Sequence, residues 1–478
     1  MNSKIKSLFS QASLYSLGGL SIRLIGFFLL PLYLTYLTPA DYGIVELSNT
    51  LTNILVIIFG FGMSSAVFRE YYREDDENYK KSIIGTAFIF LLFINLILII
   101  LLLLSRNYLA NILLGIKDQI YVFMLILANI FFLTLLNINY AVVRAKEKPL
   151  NFSLFNIVRT LIYAGVNIYL IAVLGRGYVG VREGILISTF FTFLISSPYL
   201  IRNMNLKFSL PILKRMMVFG IPIIFSGLSL WVLNLTDRYM LKYLLPETIA
   251  FSQIGIYSLA AKLSSVGKLV LVQPFAMSWG VAMFKHEKEA NAKVFYAKTF
   301  KYFIIIAAIF YVFTVLFAEN IIHLLSNNTA YFSANTAVPL LTGSAMFSGI
   351  FMILSVGLTL TYKNKYSSLA TIIAAILNII LNLILIPKFF MLGAATASII
   401  SSFVMIVLQY YFAQKYYRIP YDLKIFFIIL VLCTIVSITS SVFSMHLITK
   451  FLISIFVIYT IIHIGNIKLS KIIQMVKK

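Results

Sequence analysis

Apolar stretches about 20 residues long, each closed by a short polar loop, set the terms for everything this chain can fold into. A helix of that length spans the hydrocarbon core of a bilayer, and about 14 such segments follow one another from residue 12 to residue 466. Hydrophobic residues fill 61% of the 478 positions and charged residues only 12%. A soluble domain carries about twice that charge. Backbone groups in lipid must be paired within the chain, and the period-2 alternation of a membrane barrel is missing. The expected fold is therefore an all-α polytopic membrane protein. The first apolar run, 12–36, lacks a small-residue cleavage site and is expected to stay as a helix rather than leave as a signal peptide.

The formal charge of +23 invites a nucleic-acid reading, which its distribution excludes. Lysine and arginine crowd alternate loops, such as Arg69–Lys81, Arg144–Lys148, Arg202–Arg215 and Lys285–Lys301, while the intervening loops hold only Arg106, Lys117, Arg176, Arg182, Lys242, Lys388 and Lys450. By the positive-inside rule this asymmetry places both termini in the cytoplasm. The basic excess is mainly a topology signal, and no nucleic-acid partner is expected. The single cysteine, Cys433, allows no disulfide within the chain and no thiolate metal cluster. Four scattered histidines have no ligand spacing, no phosphate-binding GxxxxGK[ST] loop is present, and no loop is long enough for a soluble catalytic domain. Neither a catalytic nor a metal site is expected, and the chain reads as a non-enzyme without a bound cofactor.

The two halves resemble each other. Tyr36-Leu37-Thr38-Pro39 followed by Asp41-Tyr42-Gly43-Ile44 returns as Tyr243-Leu244-Leu245-Pro246 followed by Gln253-Ile254-Gly255-Ile256-Tyr257. Asn167-Ile168-Tyr169-Leu170-Ile171 ahead of Gly180 returns as Asn382-Leu383-Ile384-Leu385-Ile386 ahead of Gly393. Repeats of this kind mark transporters, with the substrate path where the repeats meet. The reading divides the chain into a six-helix lobe at 1–204, a second at 205–414, and an appended pair of helices with a basic tail at 415–478. The mixed-charge runs Arg69–Glu77 and Lys285–Glu289 fall at matching points and read as solvated helix extensions.

Charges inside the spans carry the functional signal. Each costs at least about 2.5–3.5 kcal/mol at the bilayer centre and so faces protein or water. Arg23 shares a helix side with Ser16 and Gly19; Glu46, Asn49, Thr50 and Asn53 form an i, i+3, i+4, i+7 stripe; Asn156, Arg159, Thr160, Tyr163 and Asn167 form another. In the second half the matching faces carry Ser258, Lys262 and Ser265 with Lys268 beyond, and Thr371, Asn378 and Asn382. Asp237 and Arg238 stand near a helix end, where an ion pair or snorkelling is an equal alternative, and polar stripes also serve to hold helices together. Five cations against two anions (Glu46, Asp237) suit an anionic ligand in a low-dielectric cavity. Arg23, Asn53, Arg159, Asn167, Asp237, Arg238, Lys262, Lys268, Asn378 and Asn382 are the candidate substrate-binding residues. Glu46 is the candidate coupling residue, since Asn49, Thr50 and Asn53 can hydrogen-bond its carboxyl in either protonation state.

Leu37-Thr38-Pro39-Ala40-Asp41-Tyr42-Gly43, Asp237-Arg238-Tyr239-Met240, Gly255–Leu263, Arg144–Lys148 and the run from Asn378 through Pro387 to Ala395 resemble, in their order and spacing, the polysaccharide-transporter family. These are flippases for lipid-linked O-antigen and capsule repeat units, within the superfamily that includes MATE drug exporters. The resemblance covers roughly residues 8–412. It implies a MATE-like fold of two six-helix bundles with two additional helices, working by alternating access in the bacterial inner membrane. It implies an undecaprenyl-pyrophosphate-linked oligosaccharide as cargo, membrane lipid as surroundings, and a polysaccharide polymerase with chain-length machinery as partners in lipopolysaccharide or capsule assembly. Any energy coupling would be to a proton or sodium gradient. A cation-coupled multidrug exporter and a lipid II flippase of the same superfamily are the alternatives.

Overall fold

The structure is a computed structural model that describes residues 25–116, 118–442 and 446–464. Among them the regular elements are helical. The first are α1 (Leu30–Tyr36), α2 (Pro39–Gly60), α3 (Met63–Tyr71), α4 (Glu77–Leu104), α5 (Arg106–Leu113), α6 (Gln119–Ala145), α7 (Pro149–Asn167), α8 (Gly177–Arg202) and α9 (Leu210–Leu244). Then follow α10 (Glu247–Gly267), α11 (Gln273–Lys285), α12 (Ala292–Leu325), α13 (Ala334–Leu354), α14 (Val356–Leu360), α15 (Lys365–Tyr416), α16 (Leu423–Val442) and α17 (Leu447–Ile464). Single π-turns extend α7 (Ile168–Val173) and join α10 to α11 (Lys268–Val272).

Eleven of these stretches are long and apolar enough to cross a membrane, and Ile25–Tyr36 and Leu447–Ile461 are shorter apolar helices. The 52-residue α15 is broken at Phe390, whose φ of 52° lies in the left-handed region, so it supplies two apolar arms. The chain is a multi-pass membrane protein, and the apolar segments read from sequence are helices wherever they are described.

Local chemistry sets the helix starts. The Leu37–Gly43 motif is a helix-entry device. Thr38 caps α2, accepting from the Asp41 amide at 3.1 Å while the Asp41 carboxylate accepts from the Thr38 amide at 3.2 Å, and Pro39 occupies the first turn. Asp76 caps α4 through the amides of Asn78 and Tyr79.

Two compact units result, Met1–Tyr239 and Met240–Lys478. The division falls inside α9, whose first part is held to the first unit. Gly62 and Gly220 approach so closely that a Cβ on Gly62 would meet the Gly220 backbone. In the first unit one core cluster surrounds Met63, Ile84, Ile138, Val142 and Met216, and another surrounds Leu51, Phe123, Ile126 and Ile130. In the second, α12 and α13 pack with α16 and α17 through Val312, Leu316, Phe347, Ile429 and Ile461. Lys450 of α17, counted from sequence as a loop cation, is 3% exposed and donates to Glu319 at 2.7 Å and to Asn320 at 2.8 Å. That ion pair pins the appended pair to α12.

Hydrogen bonds gather the loops of the first unit at two ends. Tyr72 reaches the Ala145 carbonyl, and Asn205 reaches Ser82, so the loops after α3, α6 and α8 share an end with the start of α4. At the other end Tyr121 and Arg176 both reach Glu183, and Tyr178 reaches Asp118. The first end carries the arginine- and lysine-rich loops. The Arg69–Glu77 run there is not fully solvated as expected: Glu70 is 7% exposed and accepts from Arg215 (2.7 Å), Tyr79 (2.9 Å) and Arg73 (3.1 Å). In a Cys433→Ser background, single cysteines at Glu74 and Arg176 should react with an impermeant maleimide from opposite sides of the membrane. Labelling of both from one side overturns this arrangement.

Candidate functional site

In the first unit, helices α1, α2, α7 and α8 converge on a buried polar cluster. Its centre is Arg182, 3% exposed on the first turns of α8. The guanidinium donates to the Val45 carbonyl and, at 2.8 Å, to Asn49 Oδ1. Asn49 in turn donates to Glu46 Oε1 at 3.3 Å. One amide thus stands between a fixed positive charge and the carboxylate proposed for coupling. Beside it, Tyr33 and Tyr163 share a hydroxyl–hydroxyl hydrogen bond of 2.6 Å, and Tyr33 also donates to Asn167 Oδ1 at 3.2 Å.

Packing brings these groups together. The end of α7 is unwound into its π-turn just after Asn167, and α8 returns along it with a glycine at 184. A Cβ there would collide with the Asn167 amide, so only glycine lets the helices come this close. Asn167 is fully buried, with its Nδ2 donating to the Tyr163 carbonyl at 2.7 Å. Both ends of its amide are spent inside the lobe, the oxygen on Tyr33 and the nitrogen on the Tyr163 carbonyl. Its repeat counterpart behaves alike: Asn382 is fully buried and donates to Asn378 Oδ1 at 3.0 Å, with Asn378 itself 6% exposed.

The remaining candidates lie on α2, α7, α9, and α10 with its following π-turn. Arg159 is half-buried on α7 and donates to Thr189 at 3.2 Å. Asn53 is exposed on α2 and bonds back to the Asn49 carbonyl, so the stripe from Glu46 runs from half-buried to exposed along one helix. Asp237 and Arg238 are buried near the end of α9. In the second unit Lys262 is half-buried on α10, and Lys268 opens the π-turn that follows. Single π-turns inside helices concentrate at functional positions. Arg23 lies outside the described residues. No group of His, Cys, Asp and Glu suited to a metal ion occurs among the described residues.

Sequence reading missed Arg182 by counting it with the loops. The signal for it was local: a charged residue between Gly180 and Gly184, at the spacing that brings a helix face against a neighbour. Removing its guanidinium leaves the Asn49 amide oxygen and the Val45 carbonyl without their donor, at about 1–3 kcal/mol for each buried group. Arg182→Met should therefore lower the thermal midpoint of the detergent-solubilised protein, whereas Asn53→Ala should leave it unchanged. Equal midpoints for Arg182→Met and the parent would refute the anchoring role.

The sequence family described as "Polysaccharide biosynthesis protein" matches residues 36–277. Comparison with curated proteins gives no match. Among solved structures, the lipid II flippase MurJ in an inward closed conformation is 17% identical, with 94% of this chain and 97% of that chain covered and a TM-score of 0.71. An inward-facing multidrug resistance MATE family transporter of the MOP superfamily is 17% identical over 84% of this chain and 94% of its own, with a TM-score of 0.68. A MOP superfamily transporter from Pyrococcus furiosus with a binding pocket of reverse polarity is 16% identical over 85% of this chain and 94% of its own, with a TM-score of 0.55. The last three establish the fold, and the first establishes the family: this chain belongs to the polysaccharide biosynthesis proteins with a MATE-like transporter fold.

Proposed function

We propose that the protein is a flippase that moves an undecaprenyl-pyrophosphate-linked oligosaccharide, the repeat unit of an O-antigen or capsule, across the bacterial inner membrane by alternating access. One observation carries this reading. Arg159 and Lys268 lie in membrane spans, and neither has a carboxylate partner among the described residues. A cation in that position is costly unless it meets water or an anion. A diphosphate supplies the anion, and the arginine fork matches its oxygens. Lys262 lies two turns before Lys268 on the same helix, and Asn53 and Thr50 belong to the stripe that begins at Glu46. Exporters of cationic drugs need the opposite balance. The lipid II reading draws on the MurJ fold likeness and shares the diphosphate, so it differs only in the sugar portion of the cargo.

In this reading the cargo is handed to a polymerase and its chain-length machinery after crossing, and both termini stay in the cytoplasm. In a strain lacking its own copy, Arg159→Ala and Lys268→Ala should each reduce surface glycan by roughly tenfold or more at near-normal protein levels, the loss expected of one charge-assisted contact. Arg159→Lys should restore part of the activity, since it keeps charge but not the fork. Full export in both alanine variants would remove the cationic path.

Coupling is assigned to Glu46. Its carboxylate is half-buried, bound to Asn49, and one amide away from Arg182. Asn49 stands between that carboxylate and Arg182, and Glu46 is the titratable carboxyl of its stripe, which suits a group that exchanges a proton during the cycle. Glu46→Gln keeps shape and hydrogen bonding while abolishing titration. In liposomes loaded with labelled lipid-linked substrate, this variant should bind substrate yet lose its response to a pH gradient. A response equal to that of the parent would return Glu46 to a purely structural role.

A further inference from the structure

At the basic end of the first unit a cavity of about 760 Å³ opens between α3 and the first turns of α9. Arg69, Arg73, Lys214 and Arg215 line it, with a single carboxylate, Glu70. That carboxylate is already committed. Arg215, Tyr79 and Arg73 all donate to its Oε1. Burial alone would raise its proton affinity, but the hydrogen bonds from Arg215 and Tyr79 and the charges of Arg215 and Arg73 outweigh burial and hold the carboxyl below its ordinary range. Glu70 therefore stays anionic and neutralises one of the two arginines it touches.

Three positive charges remain over, and two of them, Arg69 and Lys214, do not touch Glu70. Arg69 is exposed and lies above the Phe219 ring at 4.5 Å, a contact that orients the guanidinium without cancelling its charge. Lys214 is exposed and has no acidic partner among the described residues. Away from these charges the wall turns apolar along α9, through Met216, Val218, Phe219, Pro222 and Ile223. Val218 is 77% exposed. From Lys214 to Ser226 the helix rises about 18 Å, the distance from the headgroup level well into the acyl region. A cationic mouth that continues into an exposed apolar track matches an anionic lipid better than it matches a free anion. Basic pockets of this kind between spanning helices hold acidic lipid headgroups.

We propose that this cavity is a binding site for the phosphate headgroup of an anionic membrane phospholipid, with Arg69 and Lys214 as its ligands and the Val218–Ile223 face of α9 as the bed for an acyl chain. The site includes none of Arg159, Lys268 and Glu46 among its lining residues, and it stands whatever the cargo is. A lipid seated there also braces α3 against α9 at the level of the Glu70–Arg215 ion pair.

The test uses the full-length protein in nanodiscs of phosphatidylcholine with and without phosphatidylglycerol. Retained lipid is counted by native mass spectrometry. The parent should hold phosphatidylglycerol through detergent exchange, and the Arg69→Gln/Lys214→Gln pair should hold it about tenfold less. The charge-keeping pair Arg69→Lys/Lys214→Arg should retain it, which separates lost binding from misfolding. Phosphatidylglycerol with a photoreactive acyl chain should label α9 between Val218 and Ile223. Undiminished retention in the glutamine pair overturns the site. Displacement of the lipid by inorganic phosphate or glycerol 3-phosphate at matching concentrations overturns the lipid assignment, and labelling confined to other helices overturns the acyl bed.

Discussion

Everything in this structure follows from the poverty of the bilayer as a hydrogen-bonding solvent. Within the apolar slab each polar group must find its partner in the chain itself. Arg182 is the clearest case. Its charge sits at 3% exposure, and it is tolerable there because Val45 and Asn49 accept from it. Asn49 can accept only because its other end is turned to Glu46. The geometry of the candidate coupling residue is thus a by-product of the acceptors that meet the Nη2 of one buried guanidinium. The same demand explains why Asn167 and Asn382, which look like ligands in sequence, spend their amides on Tyr33, Tyr163 and Asn378.

The internal repeat has a physical content that residue identity alone only suggests. In the first unit the chain leaves Asn167, passes a π-turn, and reverses through Gly175 and Gly177 at φ of 61° and 56°. In the second it leaves Asn382 and turns at Phe390, where a φ of 52° falls on a residue with a side chain. Phenylalanine is strained there, and the structure supplies a support: Gln253 of α10 accepts from the freed Met391 amide at 3.2 Å. Two chemistries, glycine in one half and a braced phenylalanine in the other, serve the same reversal.

What was legible beforehand was whatever depends on period and length. Apolar runs set the spans, alternation of basic loops set the ends of the first unit, and the Thr38-Pro39-Asp41 spacing marked a helix start. The hidden parts depend on which residues meet across helices. Glu70 lies in a run of charges that looks solvated, and only the arrival of α9 buries it beside Arg215. Lys450 looks like a loop cation until α17 lays it against Glu319. The π-turns at Ile168–Val173 and Lys268–Val272 leave no mark in composition, since an extra residue per turn alters hydrogen bonding without altering hydropathy.

The cations of this chain fall into two groups by what they touch, and that division separates framework from function more sharply than position does. Arg182, Arg215 and Lys450 each have acceptors that would be left unmet without them. Their charges are consumed by the fold. Arg159, Lys268, Arg69 and Lys214 have no carboxylate partner among the described residues, although two of them lie in the spans. A fold does not keep costly charges unpaired without a use for them, since apolar or neutral replacements would be more stable in lipid. The first group should respond to substitution through stability, and the second through what the protein binds. Substitution can therefore sort the cations without reference to the cargo: loss of stability marks the first group, and loss of binding at unchanged stability marks the second.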